Sequence, residues 1–259
     1  MDKKTPYGPQ SAFSVFENTM VEMAWPEIQA AADRGAIVLL PIGIVESHGP
    51  HLDLSADFYL STLSCRFLQQ ELHALGIEAL IAPPFYWGIS RELARTKYAG
   101  TFSVRPKTMQ ALLTDILASL RSWGFRRVFV SNAHGDHTHI KTIMKAMKKA
   151  NRTPGFRAYP LWDLDIAVDS DIKLPPEWEG GFQPDVHAGA IETGQVAAFF
   201  PEKVRHDIAK SLTPQSSFHP FAYCGDPASY DRNYDFAEYA KADATLDALK
   251  IKTLLQRNG

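Results

Sequence analysis

Apolar residues in this chain come in short unbroken runs, and each run is followed by a stretch with helical spacing. The run "AIVLLPIG" (36–43) carries no charge over eight positions, which suits a strand buried on both faces. From Asp57 to a glycine at 76 the spacing predicts a helix with a Gly stop signal. "EALIAPPFYWG" (78–88) reads as a strand as far as its Pro pair. After Pro106, the residues Met109, Leu112, Leu113, Ile116 and Leu120 recur at helical intervals until Gly124. "RRVFVSNAHG" (126–135) predicts a third strand and the turn after it. Ile140, Ile143, Met144 and Met147 then mark one face of a helix whose lysines form the solvated face. "FRAYPLWD" (156–163) predicts a fourth strand, 189–200 a further helix, and 235–257 a long last helix.

Strand and helix alternating at these intervals imply parallel βαβ units with helices on both faces of the sheet. The stretches 169–184 and 213–233 are dense in turn-forming residues and read as loops, too short to divide two cores. One domain over 1–259 is the expected organisation.

Composition narrows the partners. Hydrophobic content of 45% and charged content of 22% are ordinary for a soluble globular chain. A net charge of -2 supplies no field that would draw nucleic acid or an anionic membrane, so neither is expected as a partner. Two cysteines make a disulfide framework improbable, and a cytoplasmic location is expected. The N-terminal "MDKKTPYGPQSAF" has no apolar core, so no secretory leader is expected. Phosphate-loop and dinucleotide Gly-rich motifs are absent from the sequence.

The chemistry is concentrated in three places. Six of the nine histidines fall in "ESHGPH", "SNAHGDHTH" and "DVHAGAIETG". The first two segments follow predicted strands, and open α/β sheets bind ligands at the carboxyl ends of their strands. Glu46 and His48 are two apart, so in extended chain both point the same way. With Asp57 close behind, they form a carboxylate–imidazole set suited to Zn, Mn or Fe(II), although Asp57 alone reads as a helix cap. His134 stands at a strand end and is the ligand candidate of its cluster. Asp136 is placed to cap the next helix, while His137 and His139 sit in its first turns. His187 precedes the small residues Ala188, Gly189 and Ala190, which let backbone approach something closely, and Glu192 follows in a first helical turn.

"LLPIGIVESHGPHLDLSADFYLS", "SNAHGDHTH" and "HAGAIETG" together resemble, in order and across most of the chain, the three motifs of the creatininase family of metal-dependent amidohydrolases. The resemblance implies a three-layer α/β/α sandwich around a mostly parallel sheet. It implies a divalent transition metal, Zn foremost with Mn or Fe(II) as alternatives, at one or two ions per chain. By motif position Glu46, His48, Asp57, His134 and Glu192 are the implied ligands, with Asp57 bridging. Asp136 stands where creatininases carry a further carboxylate ligand, one methylene shorter. His187 is the expected proton donor to the leaving nitrogen, with Asp136 orienting it or binding metal. Trp162 resembles an aromatic that packs near substrate, and His137 is a second candidate substrate contact. A second tryptophan of that family has no counterpart, since Gln183, Pro184 and Asp185 occupy its region and Trp178 lies further upstream.

The expected activity is therefore attack of metal-activated water on a C–N bond of an amide other than creatinine and other than a peptide. The competing expectations are a keto-inositol hydrolase and a metal-dependent isomerase of a sugar-like carbonyl compound. The expected partners are a small-molecule substrate and further copies of the chain, up to a hexamer.

Overall fold

The computed structural model describes residues 7–10, 13–96, 98–172, 185–230 and 234–257. Along the chain the helices and strands run α1 (Trp25–Asp33), β1 (Ile37–Ile42), α2 (Ala56–Ala74), β2 (Ala79–Ile81), α3 (Arg91–Thr96) and α4 (Pro106–Ser122). They continue with β3 (Arg127–Asn132), α5 (His137–Ala150), β4 (Arg157–Pro160), α6 (Ala190–Phe199), α7 (His206–Ser211) and α8 (Phe236–Arg257).

The strands form one parallel sheet in the order β2-β1-β3-β4. All six residues of β1 are buried, because helices cover both of its faces. Alternation sorts them. Ile37 and Leu39 join Leu68 and Leu72 of α2 and Ile251 and Leu254 of α8 in one cluster. Val38, Leu40 and Ile42 join Met109, Leu113 and Leu117 of α4 and Ile143 and Met147 of α5 in another. Two helical layers thus sandwich the sheet, and burying each large aliphatic side chain contributes about 1.5–3 kcal/mol. A third cluster packs Val196 and Phe199 of α6 against Leu63 and Phe67 of α2 and Phe236 of α8, which ties the third motif to the sandwich.

Two strand expectations shorten. The expected strand 78–88 is a continuous ladder only over Ala79–Ile81; Pro83 and Pro84, which have no N–H to give, interrupt it, and it meets β1 again in an isolated bridge between Phe85 and Ile42. The expected strand 156–163 pairs over Arg157–Pro160 and then closes into a 3-10 turn, Leu161–Asp163. The short helices α1, α3 and α7 were not expected. Most of the expected loop 169–184, with Trp178, Gln183 and Pro184, lies outside the described residues, as do residues 231–233 of the other loop. Among the described residues no helix is long and apolar enough to cross a membrane.

Candidate metal centre

β1 and β3 are neighbours with Ile42 paired to Asn132, so their carboxyl ends deliver two motifs to one place. After β1 the chain passes through Gly43, where a Cβ would lie 2.6 Å from the Phe58 backbone N. A glycine there lets the first turn of α2 sit directly against the strand end. That turn carries Asp57, 2% exposed. Ser55 occupies the N-cap position without a side-chain cap bond, so Asp57 is not the capping residue. After β3, Asn132 clasps the turn through Nδ2 donating to the His134 carbonyl at 2.7 Å. The third motif arrives from elsewhere. His187 pairs in a short antiparallel bridge with Cys224, and Glu192 follows in the first turn of α6.

The side chains converge closely. His48 Nε2 lies 3.1 Å from Asp57 Oδ1 and 3.2 Å from Glu192 Oε1. His134 Nδ1 lies 3.0 Å from Asp57 Oδ2 and 3.1 Å from Glu46 Oε1. His187 Nδ1 lies 3.6 Å from Glu46 Oε1. Three donor sets result, each with its ligand atoms within 4.8 Å of one another: Glu46, Asp57 and His134; His48, Asp57 and Glu192; Glu46, His48 and His187. Asp57 offers one oxygen to each of the first two sets.

Each imidazole is held from behind by a backbone carbonyl. His48 Nδ1–H donates to Glu46 O at 3.0 Å, His134 Nε2–H to Ile89 O at 2.8 Å, and His187 Nε2–H to Ser47 O at 2.9 Å. These partners assign the tautomers and leave the opposite nitrogen of each neutral ring as a bare lone pair. Those lone pairs face carboxylate oxygens, which are also acceptors. Only a proton or a cation between them makes such a cluster favourable. Carbonyl-oriented histidines with inward lone pairs are the arrangement by which proteins present imidazole to metal.

The charges point the same way. Burial alone would raise the carboxyls of Glu46 and Asp57, but the facing imidazoles hold both below the ordinary carboxylate range. Glu192 is likewise opposed by burial yet brought down to about 2, chiefly by His48. Burial disfavours charge on His48 and His134 too, yet their carboxylate neighbours raise both well above the ordinary histidine value. Both Glu46 carboxyl oxygens and Asp57 Oδ2 are buried without an aligned hydrogen bond, despite neighbours near 3 Å. Close approach without alignment is what ligands around a common centre show. The residues present therefore fit one or two divalent ions.

The remaining expected residues lie around this centre. Trp162, 40% exposed, lines a cavity of about 610 Å³ that also touches Asn132, His187 and Glu192. His137 is exposed at the start of α5, on a hollow of about 420 Å³ that reaches Glu46 and His134. Asp136 is outside all three donor sets. One of its oxygens accepts from Thr138 N and His139 N, and the other from Arg91 N, so it caps α5 and ties α3 to it.

Two further histidines of the same motifs support the centre without belonging to the donor sets found among the described residues. His139 is fully buried, and burial with nearby His134 pushes it down to about 3, so it stays neutral. Its Nδ1 accepts from Ile89 N and its Nε2–H donates to Asn132 Oδ1. His51, also fully buried, meets Thr193 Oγ1 at 2.9 Å. Ala188 has φ 49 and directs its N–H onto Glu192 Oε2 at 2.6 Å, leaving Oε1 for the centre. The spacing of "HGPH" is the signal for His51. Ile89 and Ser47 act through backbone carbonyls and leave no sequence signal.

A family model described as creatininase, creatinine amidohydrolase, matches residues 21–243. The chain belongs to the creatininase family. It is 27% identical over 218 residues to creatinine amidohydrolase of Pseudomonas putida, covering 80% of this chain and 81% of that one. It is 31% identical over 174 residues to the mycofactocin precursor peptide peptidase of Mycobacterium tuberculosis (strain ATCC 25618 / H37Rv), covering 65% of this chain and 60% of the relative. It is 24% identical over 193 residues to the 3-dehydro-scyllo-inosose hydrolase of Thermotoga maritima, covering 74% and 60%. A crystal structure of creatininase superposes with a TM-score of 0.72 over 93% of this chain and 97% of that one, at 20% identity. Another solved creatininase is an Mn form, with a TM-score of 0.70 at 21% identity over 93% of this chain and 98% of that one. The three-layer fold around a parallel sheet is thus that of the family, and the family relationship makes the protein a hydrolase.

Proposed function

We propose that this hydrolase is a metal-dependent amidohydrolase that cleaves a non-peptide C–N bond in an amide other than creatinine. The observation that carries the reading is the convergence of the buried carboxylates of Glu46 and Asp57 and the partly buried one of Glu192 on inward-facing imidazole nitrogens, each ring tied outward to a backbone carbonyl. Glu46, Asp57 and His134 would hold one ion, and His48, Asp57 and Glu192 a second beside it. A divalent ion there, Zn²⁺ first with Mn²⁺ or Fe²⁺ as alternatives, lowers the pKa of water from 15.7 towards about 7 and polarises a carbonyl.

The chain supplies the rest. His187 presents Nδ1 to the centre while its Nε2–H is held by Ser47 O, so Nδ1 is the atom placed to carry a proton to the leaving nitrogen. Proton transfer of this kind is worth about 10²–10⁴-fold. Trp162 and His137 flank the two approaches to the centre and would contact substrate. Asp136 keeps α5 and α3 in register beside His134.

A second reading has its own observation. The larger cavity continues from His187 and Glu192 along α8 past Tyr239 to Asp243 and Asp247. That length suits a linear substrate such as a short peptide. A panel of cyclic amides, formamides, short peptides and inososes, assayed with elemental analysis, separates these readings. Turnover of an amide that stops on chelation and returns with Zn²⁺ or Mn²⁺ is the expected result. Full activity in a metal-free chain overturns the proposal. Reaction in ¹⁸O-labelled water should place label in the product, and an unlabelled product would indicate isomerisation.

A further inference from the structure

We infer that Asp185 is a positioning residue of the metal centre, wedged against Gly189 so that it fixes where α6 begins and hence where Glu192 and His187 stand. This rests on the metal reading above and adds a residue outside the ligand set.

The helix α6 begins at Ala190 with Gly189 as its N-cap, and Gly189 has no side chain to satisfy the first N–H groups. Asp185 does so from outside the helix, its Oδ2 accepting from Ile191 N at 2.6 Å. Its Oδ1 is buried without an aligned hydrogen bond. A Cβ on Gly189 would lie 1.3 Å from that oxygen, and one on Gly225 2.4 Å from it. The carboxylate therefore fills the space that side chains would take on both glycines. Gly189 has φ -90 and ψ -154, a conformation open to any residue. The glycine is needed there for room, and the room is taken by Asp185.

The intervening segment has little freedom left. Val186 N and His187 N donate to Cys224 O at 2.9 and 3.0 Å, and Cys224 N donates back to His187 O at 2.8 Å. Ala188 then turns through φ 49 and directs its N–H onto Glu192 Oε2 at 2.6 Å. Thr193 N donates to Gly189 O at 3.0 Å as the helix starts. Release of Asp185 removes the wedge that sets this turn, so Glu192 Oε1 loses its place 3.2 Å from His48 Nε2. The set of Glu46, Asp57 and His134 contains no residue of this segment.

The test is a Zn²⁺ titration of the full chain against a competing chelator, resolved by binding step, with thermal melting of the metal-free chain alongside. Loss of an outer partner of this kind costs about 10–100-fold in metal affinity. Asp185→Ala should weaken one step by that factor and leave the other unchanged. Asp185→Asn keeps an acceptor for Ile191 and should stay within about threefold of the wild type on the same scale. Gly189→Ala should reproduce the selective loss in the wild-type background. In the Asp185→Ala background it should add nothing, because the atom it strikes is gone. If Asp185→Ala does not fold, Asp185→Glu, which drives the carboxylate into Gly189, carries the same expectation. Lower melting temperatures with both Zn²⁺ steps intact would overturn the positioning role. So would additive losses for Asp185→Ala and Gly189→Ala. A wild-type chain that takes up no Zn²⁺ overturns instead the metal reading on which the inference rests.

Discussion

The two halves of the centre are built differently. Glu46 and His134 stand just past the ends of paired, fully covered strands, so the sheet that forms the core also places them. His187 and Glu192 come from a segment that belongs to no strand, held by one residue in the left-handed region, a carboxylate wedge and a two-residue bridge. Their placement depends on local detail near the surface. A strained backbone that persists at a functional site is held by the structure around it. The lesson is that the set of Glu46, Asp57 and His134 inherits its order from the fold, while the set of His48, Asp57 and Glu192 depends for its last member on that residue's own neighbours. Asp57 belongs to both, one oxygen to each.

The largest effect should come from abolishing the comparison. Asp57→Asn removes the shared charge, and both ions should be lost together, with turnover reduced by about 10³-fold or more, the scale of a lost general electrostatic contributor. Elemental analysis and a substrate assay check this, and retention of one full equivalent would show that the halves do not share Asp57.

His139→Phe attacks the strand half from behind. It strips Ile89 N of its acceptor, a buried loss of about 1–3 kcal/mol, and frees the carbonyl that holds His134. The melting temperature should fall, and one Zn²⁺ step should weaken about tenfold or more. If the weakened step is the one that Asp185→Ala weakens, the halves are not separate.

Asp247→Asn is the control that belongs to neither half. Burial and neighbouring Asp243 raise Asp247 to about 7, with Lys250 Nζ at 3.4 Å only partly offsetting them. A carboxyl raised on folding binds its proton more tightly in the native state. Its contribution is therefore most favourable at low pH, and is lost as pH rises from the unfolded value through about 7. The variant should gain on the wild type over that window, by on the order of a few kcal/mol at pH 8. Thermal melts from pH 4 to 8 read the trend, and Zn²⁺ binding should not move.

Ala188→Gly should be the smallest change in stability. Relief of the left-handed conformation, about 1–2 kcal/mol, is offset by the greater freedom of glycine and the lost methyl burial, each roughly 0.8 kcal/mol. A small shift in melting temperature with a weaker loop-half Zn²⁺ step is expected. A gain of several degrees with unchanged affinity would show that the strain serves no positioning purpose.

Much of this protein was legible in its sequence. Short apolar runs favour burial, so β1, which carries no charge, and β3, apolar just after its first residue Arg127, followed from pattern alone, and helical spacing placed α2, α4, α5, α6 and α8. The donor side chains stood out because carboxylates and imidazoles crowded beside apolar runs have few structural uses. Asp136 shows where such reading stops. Its type and place allowed a ligand, an orienting group or a cap, and three backbone N–H groups occupy it as a cap. Asp185 was passed over because its partner is a missing Cβ, and His139, though placed in the first turns of α5, gave no sign of its supporting role because its partner is a backbone N–H.

The amino-acid sequence by itself determined the main strands and long helices, the parallel sense of the sheet and the kinds of donor available. Which nitrogen of each histidine faces the centre and which oxygen of Glu192 is left free were decided only in three dimensions. The physical reason is that these choices are made by the carbonyls of Glu46, Ser47 and Ile89 and the N–H of Ala188, and backbone groups are the same in every residue that could stand there.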